Sequence, residues 1–152
     1  MGEVEILVAD PVGEPAAALV ADFFAEISSR YPDFDPGRQP PAPLAAFTPS
    51  RGGVFLVATL DGAGCAGMQR LDPVTGEVRR VFVREAARGH GLARALLAGL
   101  VETARELGYG RLRLDTGDRL PEAVALFRSS GFTDIPDYNG NPYAAFWLEL
   151  SL

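Results

Sequence analysis

The chain has 152 residues, 47% hydrophobic and 22% charged, enough to bury one core and consistent with a single domain over residues 1–152. Its 14 basic residues against 20 acidic ones give a net charge of −6, and every basic residue is an arginine; without lysine, Schiff-base chemistry and a Walker A loop are excluded. One histidine, His90, and one cysteine, Cys65, cannot build a zinc ribbon, a zinc finger or a disulfide framework.

Val4, Ile6 and Val8 alternate with Glu3, Glu5 and Leu7, the pattern of a half-buried first strand ending at Asp10-Pro11. This acidic start carries no visible secretory or myristoylation pattern, and no apolar run of about 18 residues follows, so no membrane span is expected. With a lone cysteine, the expectation is a cytoplasmic protein, and an isoelectric point of about 4.8 argues against nucleic acid as a partner. From Pro15 to Arg30, Leu19, Val20, Phe23, Phe24 and Ile27 recur at three- and four-residue steps and predict an amphipathic helix. Residues 32–49 then hold six of the twelve prolines, a density that predicts neither helix nor central strand. That stretch reads either as a surface excursion or as a substrate-side wall lined by Tyr31, Phe34 and Phe47.

Val54–Leu60 and Cys65–Leu71 predict two strands joined at Asp61-Gly62-Ala63-Gly64, and a second turn over Asp72–Gly76 leads into a third strand, Glu77–Val83. Leu92, Leu96, Leu100, Ala104 and Leu107 put one apolar stripe on a helix running from Gly89 to Leu107, closed by Gly108. Arg111–Asp115 predicts a short strand with Leu112 and Leu114 inward, Pro121 opens another helix that Gly131 closes, and Phe132–Ile135 with Ala144–Leu150 predict a final antiparallel pair. The strand–helix–strand unit at 77–115 implies one parallel pairing with a right-handed crossover. Cys65 and Trp147 read as packing residues. Asp134, Asp137 and Glu149 lack metal-ligand spacing, so no metal is expected.

Between the third of these strands and the long helix lies Arg84-Glu85-Ala86-Ala87-Arg88-Gly89-His90-Gly91-Leu92-Ala93-Arg94. Two glycines, the small Ala93 and a helix N-terminus with unpaired N–H groups form an anion site suited to phosphate, although the glycines could equally serve only the turn. Five of the arginines (Arg79, Arg80, Arg84, Arg88 and Arg94) crowd into this region and make a local basic zone.

Arg88-Gly89-His90-Gly91-Leu92-Ala93 resembles the Arg/Gln-x-x-Gly-x-Gly/Ala signature of the GNAT N-acetyltransferase superfamily. The flanking segments Glu77–Val83, Ala95-Leu96-Leu97, Leu112–Thr116 and Ala123–Phe132 fall in that family's order, and the resemblance runs from about residue 51 to 150. It implies an α/β (α+β) fold, with a mixed, mostly antiparallel sheet of six to seven strands flanked by helices and one central parallel strand–helix–strand unit. It also implies acetyl-coenzyme A as cosubstrate in a cleft between splayed strands. Backbone amides of Gly89, Gly91, Leu92, Ala93 and Arg94 would hold the pyrophosphate, with charge from Arg88 and Arg94 and a further donor in His90; a solvated helix face is the other reading of Arg94. Val81, Phe82 and Val83 would run beside the pantetheine arm, with the Val83 amide supporting the thioester oxygen.

Glu77 falls where several members of the family place a carboxylate base; alternatively it is a turn-edge acid paired with Arg79 or Arg80. Phe127 stands where the family's usual tyrosine general acid would be and would pack on pantetheine instead. Tyr138 is a replacement acid, an acceptor contact or an ordinary loop aromatic. The expected activity is transfer of an acetyl group to a primary amine of a small molecule, amino acid or peptide, by direct attack in a ternary complex. Tyr31, Phe34, Glu77 and Tyr138 would meet that acceptor, and the protein would be a monomer or homodimer. A non-catalytic acyl-CoA sensor and a module for another nucleotide are the alternatives.

Overall fold

The computed structural model describes residues 4–58 and 62–152; the start of the predicted first strand, and Thr59, Leu60 and Asp61 of the first predicted hairpin, lie outside them. Strands β1 (Ile6–Val8), β2 (Val54–Ala58), β3 (Gly64–Asp72), β4 (Thr75–Val83), β5 (Arg111–Thr116), β6 (Thr133–Asp134) and β7 (Phe146–Ser151) form one sheet in the order β1-β2-β3-β4-β5-β7-β6. Every pairing is antiparallel except β4 with β5. Helices α1 (Ala16–Arg30), α2 (Leu92–Glu106) and α3 (Pro121–Ser129) flank the sheet. This is the expected mixed sheet with one parallel step.

Two features differ from the reading of the sequence. The proline-rich stretch is not free of regular structure: it folds into three short 3₁₀ turns, Pro36–Arg38, Leu44–Phe47 and Pro49–Arg51. Proline's fixed φ suits the first position of such turns, and single turns do not need the N–H groups that prolines lack. The second hairpin is also tighter than predicted, because Asp72 pairs with Thr75 and leaves only Pro73 and Val74 between the strands.

Period-two alternation sorts the side chains onto two faces. Val54, Leu56, Ala66, Met68, Val78, Leu112 and Leu114 meet Leu92, Leu96, Leu97, Leu100 and Ala104 of α2 in one core. On the other face, Phe55, Val57, Cys65 and Phe82 pack against Ala16 and Leu19 of α1 and against Phe47. Phe47 therefore does not line a substrate wall as expected. It is fully buried over Gly67, where an added Cβ would meet its ring at 2.8 Å, and it packs edge-on to Phe55.

The parallel pairing of β4 with β5 is short, joining Thr75, Gly76 and Glu77 to Arg111, Leu112 and Arg113. Beyond it β4 bulges: a single β3 residue, Ala66, faces both Arg80 and Val81, and Arg80 takes a φ of 58°. A non-glycine residue held in that region costs about 1–3 kcal/mol and persists only where its surroundings over-determine it. The bulge bends β4 away while β5 continues beside β7, and a cleft opens between them.

Candidate active site

The glycine turn forms one end of the cleft. Gly89 and Gly91 have φ of 82° and 78°, a conformation that disfavours any side chain, and a Cβ on either would meet nothing within 4 Å. Among the described residues no side chain caps the first turn of α2, which leaves its first N–H groups without an intrahelical or side-chain acceptor. The cleft has a volume of about 350 Å³, and its lining includes Val81, Phe82, Val83, Arg88, Gly89, Gly91, Leu92, Ala93, Arg94 and Phe127. These are the residues singled out for coenzyme binding, with one exception. His90 is exposed, 3.3 Å from the Ala87 carbonyl through Nδ1, and is not part of the lining.

The arginines of this region are not the free basic zone that the sequence suggested. Arg84 pairs with Asp22 at 3.1 Å and Arg88 with Glu26 at 2.6 Å, so acids of α1 neutralise both. Arg88 Nε also donates to the Val83 carbonyl at 2.9 Å. Arg94, exposed in the first turn of α2, donates to Ser129 and Ser130 at the C-terminal end of α3 and lines the cleft. At the floor, the Arg84 amide donates to the Ala63 carbonyl, so ladder alternation turns the N–H and C=O of Val83 away from β3 and toward the cleft. Its carbonyl is the one Arg88 occupies, which leaves the N–H as the open group.

The cleft continues into a second cavity of about 110 Å³. Phe23, Ile27, Val81, Leu120, Ala123 and Phe127 line both. Tyr31 and Phe34, expected at the acceptor, do line this inner cavity, together with Tyr143, Arg79, Arg80, Asn141 and Asp115. Tyr31 and Phe34 both pack on Tyr143, with ring centroids 6.1 and 4.9 Å away. The wall is close-fitted at Gly117, where a Cβ would sit 1.7 Å from the Tyr31 hydroxyl.

Glu77 is not an acid at a turn edge. It is 1% exposed, because its position opposite Gln69 in the hairpin turns it onto the face that the proline-rich segment and the 135–145 loop cover. Gln69 Nε2 and Arg79 Nη1 donate to its Oε1 at 2.9 and 3.0 Å, and Tyr138 donates to its Oε2 at 2.7 Å. The expected pairing with Arg79 is present, and Glu77 and Tyr138, 61 residues apart, are brought into direct contact. Neither lines the inner cavity. Burial first, then the charge of Glu77 and their hydrogen bond, push the Tyr138 phenol above its ordinary value.

The carboxylate on the cavity wall is one that reading the sequence missed. Asp115 accepts from the side-chain amides of Asn139 and Asn141, the latter at 2.9 Å. Burial, aided by the Glu77 charge, holds its carboxyl above the usual range, against the lowering effect of those two hydrogen bonds and of Arg79. The signal was present: if Leu112 and Leu114 point inward, Arg113 and Asp115 share the other face. The asparagines carried no comparable signal, since their roles depend on how the 135–145 loop folds back.

The proline-rich segment contributes backbone rather than side chains to this network. The carbonyls of Pro40, Pro41 and Ala42 accept from Arg79, Gln69 and Arg80 at 3.2, 3.2 and 3.1 Å. Cys65 is a packing residue as read, its thiol pushed up to about 12 by burial. Trp147 donates from its ring N–H to Asn139 at 2.9 Å. No group of three or more histidine, cysteine, aspartate or glutamate side chains is arranged to hold a metal among the described residues. No helix among them is long and apolar enough to cross a membrane.

Comparison with known proteins bears on these features. The chain is 33% identical over 104 residues to an uncharacterised N-acetyltransferase of Schizosaccharomyces pombe, covering 66% of this chain and 63% of that one. It spans less than two thirds of the length of the curated relatives it matches, 63% and 64% for two of them. Among solved structures, a GNAT-family acetyltransferase from Staphylococcus aureus superposes with a TM-score of 0.78 over 98% of this chain and 99% of that one, at 19% identity. A GNAT-family acetyltransferase from Elizabethkingia anophelis, solved with acetyl-CoA bound, gives 0.61 over 98% of each chain at 15% identity. The family model for GNAT acetyltransferases matches residues 21–132, a span that begins in α1 and takes in the proline-rich segment, the bulged β4, the glycine turn and α3. On that match, and with the sheet and cleft just described, the chain belongs to the GNAT acetyltransferase family.

Proposed function

We propose that this protein transfers the acetyl group of acetyl-CoA to a primary amine held in the inner cavity, by direct attack with both substrates bound. The observation that carries the reading is the continuity of the two cavities. A glycine turn and an uncapped helix N-terminus stand at one end, and a half-buried carboxylate, Asp115, stands at the other.

The residues present suit acetyl-CoA. The backbone N–H groups of Gly89, Gly91, Leu92, Ala93 and Arg94 offer donors to its phosphates, with the Arg94 guanidinium beside them. Val81, Phe82, Val83 and the Phe127 ring offer a largely apolar wall to its arm. When bound, it supplies an already activated acyl thioester. The Val83 N–H, turned into the cleft, is the donor for negative charge on the thioester oxygen.

The acceptor enters as an ammonium ion. Asp115 takes one proton, which passes on to solvent, and the freed nitrogen lone pair attacks the carbonyl carbon. As the nitrogen–carbon bond forms the carbon–sulfur bond breaks, and the nitrogen's second proton leaves with the thiolate sulfur. Positioning and oxyanion support supply most of the rate. Glu77 acts at one remove: its buried charge raises the proton affinity of Asp115, and it holds Tyr138 and Arg79 in place. Phe127 donates no proton, and a thiol of pKa about 8.5 leaves tolerably as thiolate near neutral pH.

The test is thiol release from acetyl-CoA across a panel of primary amines, with CoA binding followed separately by calorimetry. Release that depends on the amine supports the reading. Tight CoA binding with no release for any amine would instead favour an acyl-CoA sensor.

A further inference from the structure

The inner cavity carries a charge that acetyl transfer by itself does not explain. Arg79 and Arg80 both line it, and Arg79 is neutralised by Glu77 at 3.0 Å. Arg80 has no carboxylate partner among the described residues. Its Nη2 donates to the Ala42 carbonyl at 3.1 Å, and its guanidinium lies 5.3 Å from the centre of the Phe24 ring and 5.0 Å from that of Phe47. Its Nη1 is buried and has no hydrogen-bond partner among the described residues. A buried guanidinium nitrogen left unbonded is unusual in a folded protein. Burial pushes the Arg80 pKa down, and an anion beside it would reverse that.

The residue is also held at a φ of 58° in the bulge that opens the cleft. Strain of this kind at a cavity wall points to a positional requirement rather than to packing. The cavity is therefore lined by a cation on β4 that has no carboxylate partner among the described residues, by the Asp115 carboxylate on β5, and by the aromatic residues Tyr31, Phe34 and Tyr143.

We propose that the acceptor is an amino carboxylic acid with an apolar side chain, its carboxylate held by Arg80 and its ammonium group by Asp115. The inference rests on the transferase reading and narrows its substrate class. A guanidinium and a carboxylate lining one cavity select a zwitterion. Because Nη2 is already bonded to Ala42, the contact left for a substrate carboxylate is the charge-assisted N–H of Nη1, and a neutral amide in the same place loses the charge.

The experiment compares leucine and phenylalanine with leucinamide and phenylalaninamide, reading kcat/KM from thiol release at saturating acetyl-CoA. The free acids are expected to be preferred at least 10-fold, although their amines are the more basic and so less deprotonated. Arg80→Met should lower kcat/KM for the acids at least 10-fold and change the amides less than about 2-fold, while Arg80→Lys retains part of the preference. Because the wild-type comparison needs no variant, a misfolded Arg80→Met does not remove the test. Equal kcat/KM for acid and amide in the wild-type protein would overturn the proposal while leaving the transferase reading intact. If no amine turns over, thermal shift in the presence of CoA decides: leucine and phenylalanine must raise the midpoint more than their amides, and equal shifts overturn it.

Discussion

Glu77→Gln probes the network on which the inner cavity rests. The wild-type carboxylate is 1% exposed, and the side chain of its partner Arg79 is 12% exposed. Neutralising one member of a buried pair leaves the other charge uncompensated and costs about 3–5 kcal/mol. Glutamine keeps an oxygen for Gln69 and Arg79, which places the loss near the lower figure, about 3 kcal/mol. Its amide must then face the Tyr138 hydroxyl, which has to turn from donor to acceptor. At about 2–4 °C per kcal/mol for a chain of this size, the melting temperature should fall by about 6–12 °C. Urea melts of the single variant and of Glu77→Gln/Arg79→Met measure the coupling, and removing both charges should recover more than about 1 kcal/mol. A loss under about 1 kcal/mol for the single variant, or a double variant no more stable than the single, would refute the reasoning. That result would make the pair no more than an exposed ion pair in effect.

The other predictions concern the site directly. Asp115→Asn should lower kcat by about 10²–10⁴-fold with CoA affinity unchanged, as read by steady-state kinetics and calorimetry. Because Asp115 binds its proton more tightly folded than unfolded, it lowers stability as pH rises from the ordinary carboxylate value of about 3.9 through its raised pKa. Stability of Asp115→Asn should be flatter over that window, and the acid limb of the wild-type pH–rate profile should lie above the usual carboxylate range. Phe127→Tyr should raise kcat by less than about 10-fold, since the thiolate departs unaided; a rise of about 10²-fold would make leaving-group protonation the limiting step. Gly117→Ala should displace the Tyr31 ring from the cavity wall and raise KM for the amine without weakening CoA binding. The Cys65 thiol, pushed up to about 12 and buried, should resist a disulfide reagent in native buffer and react only on unfolding.

Much of the fold was legible in the sequence because it follows from local pattern. The stripe of Leu92, Leu96, Leu100 and Ala104 could only be one face of a helix, and that face is the one buried. Alternation along 111–115 pointed Leu112 and Leu114 into the core, where they are 0% and 1% exposed. Gly89 and Gly91 marked a turn that no side chain enters easily. The three short turns among the prolines were not legible, since a single 3₁₀ turn needs no periodic apolar face.

The polar layer was beyond the reach of local pattern. Glu77, Gln69 and Arg79 are neighbours in a hairpin, but Tyr138 and the asparagines that hold Asp115 reach them only because the 135–145 loop folds back. The five crowded arginines looked alike in sequence. Acids of α1 neutralise Arg84 and Arg88 and β4's own glutamate neutralises Arg79, whereas among the described residues Arg94 meets two serines and Arg80 a backbone carbonyl, neither with a carboxylate.

By itself, the sequence determined the order of strands and helices, the glycine turn before α2 and the phenylalanine in place of a tyrosine. Each of these is a property of residues close along the chain. Only the tertiary structure decided which charges survive uncompensated and which carboxylate borders the cavity. Burial and pairing are set by elements tens of residues apart, and Coulomb energy depends on distance in space rather than along the chain.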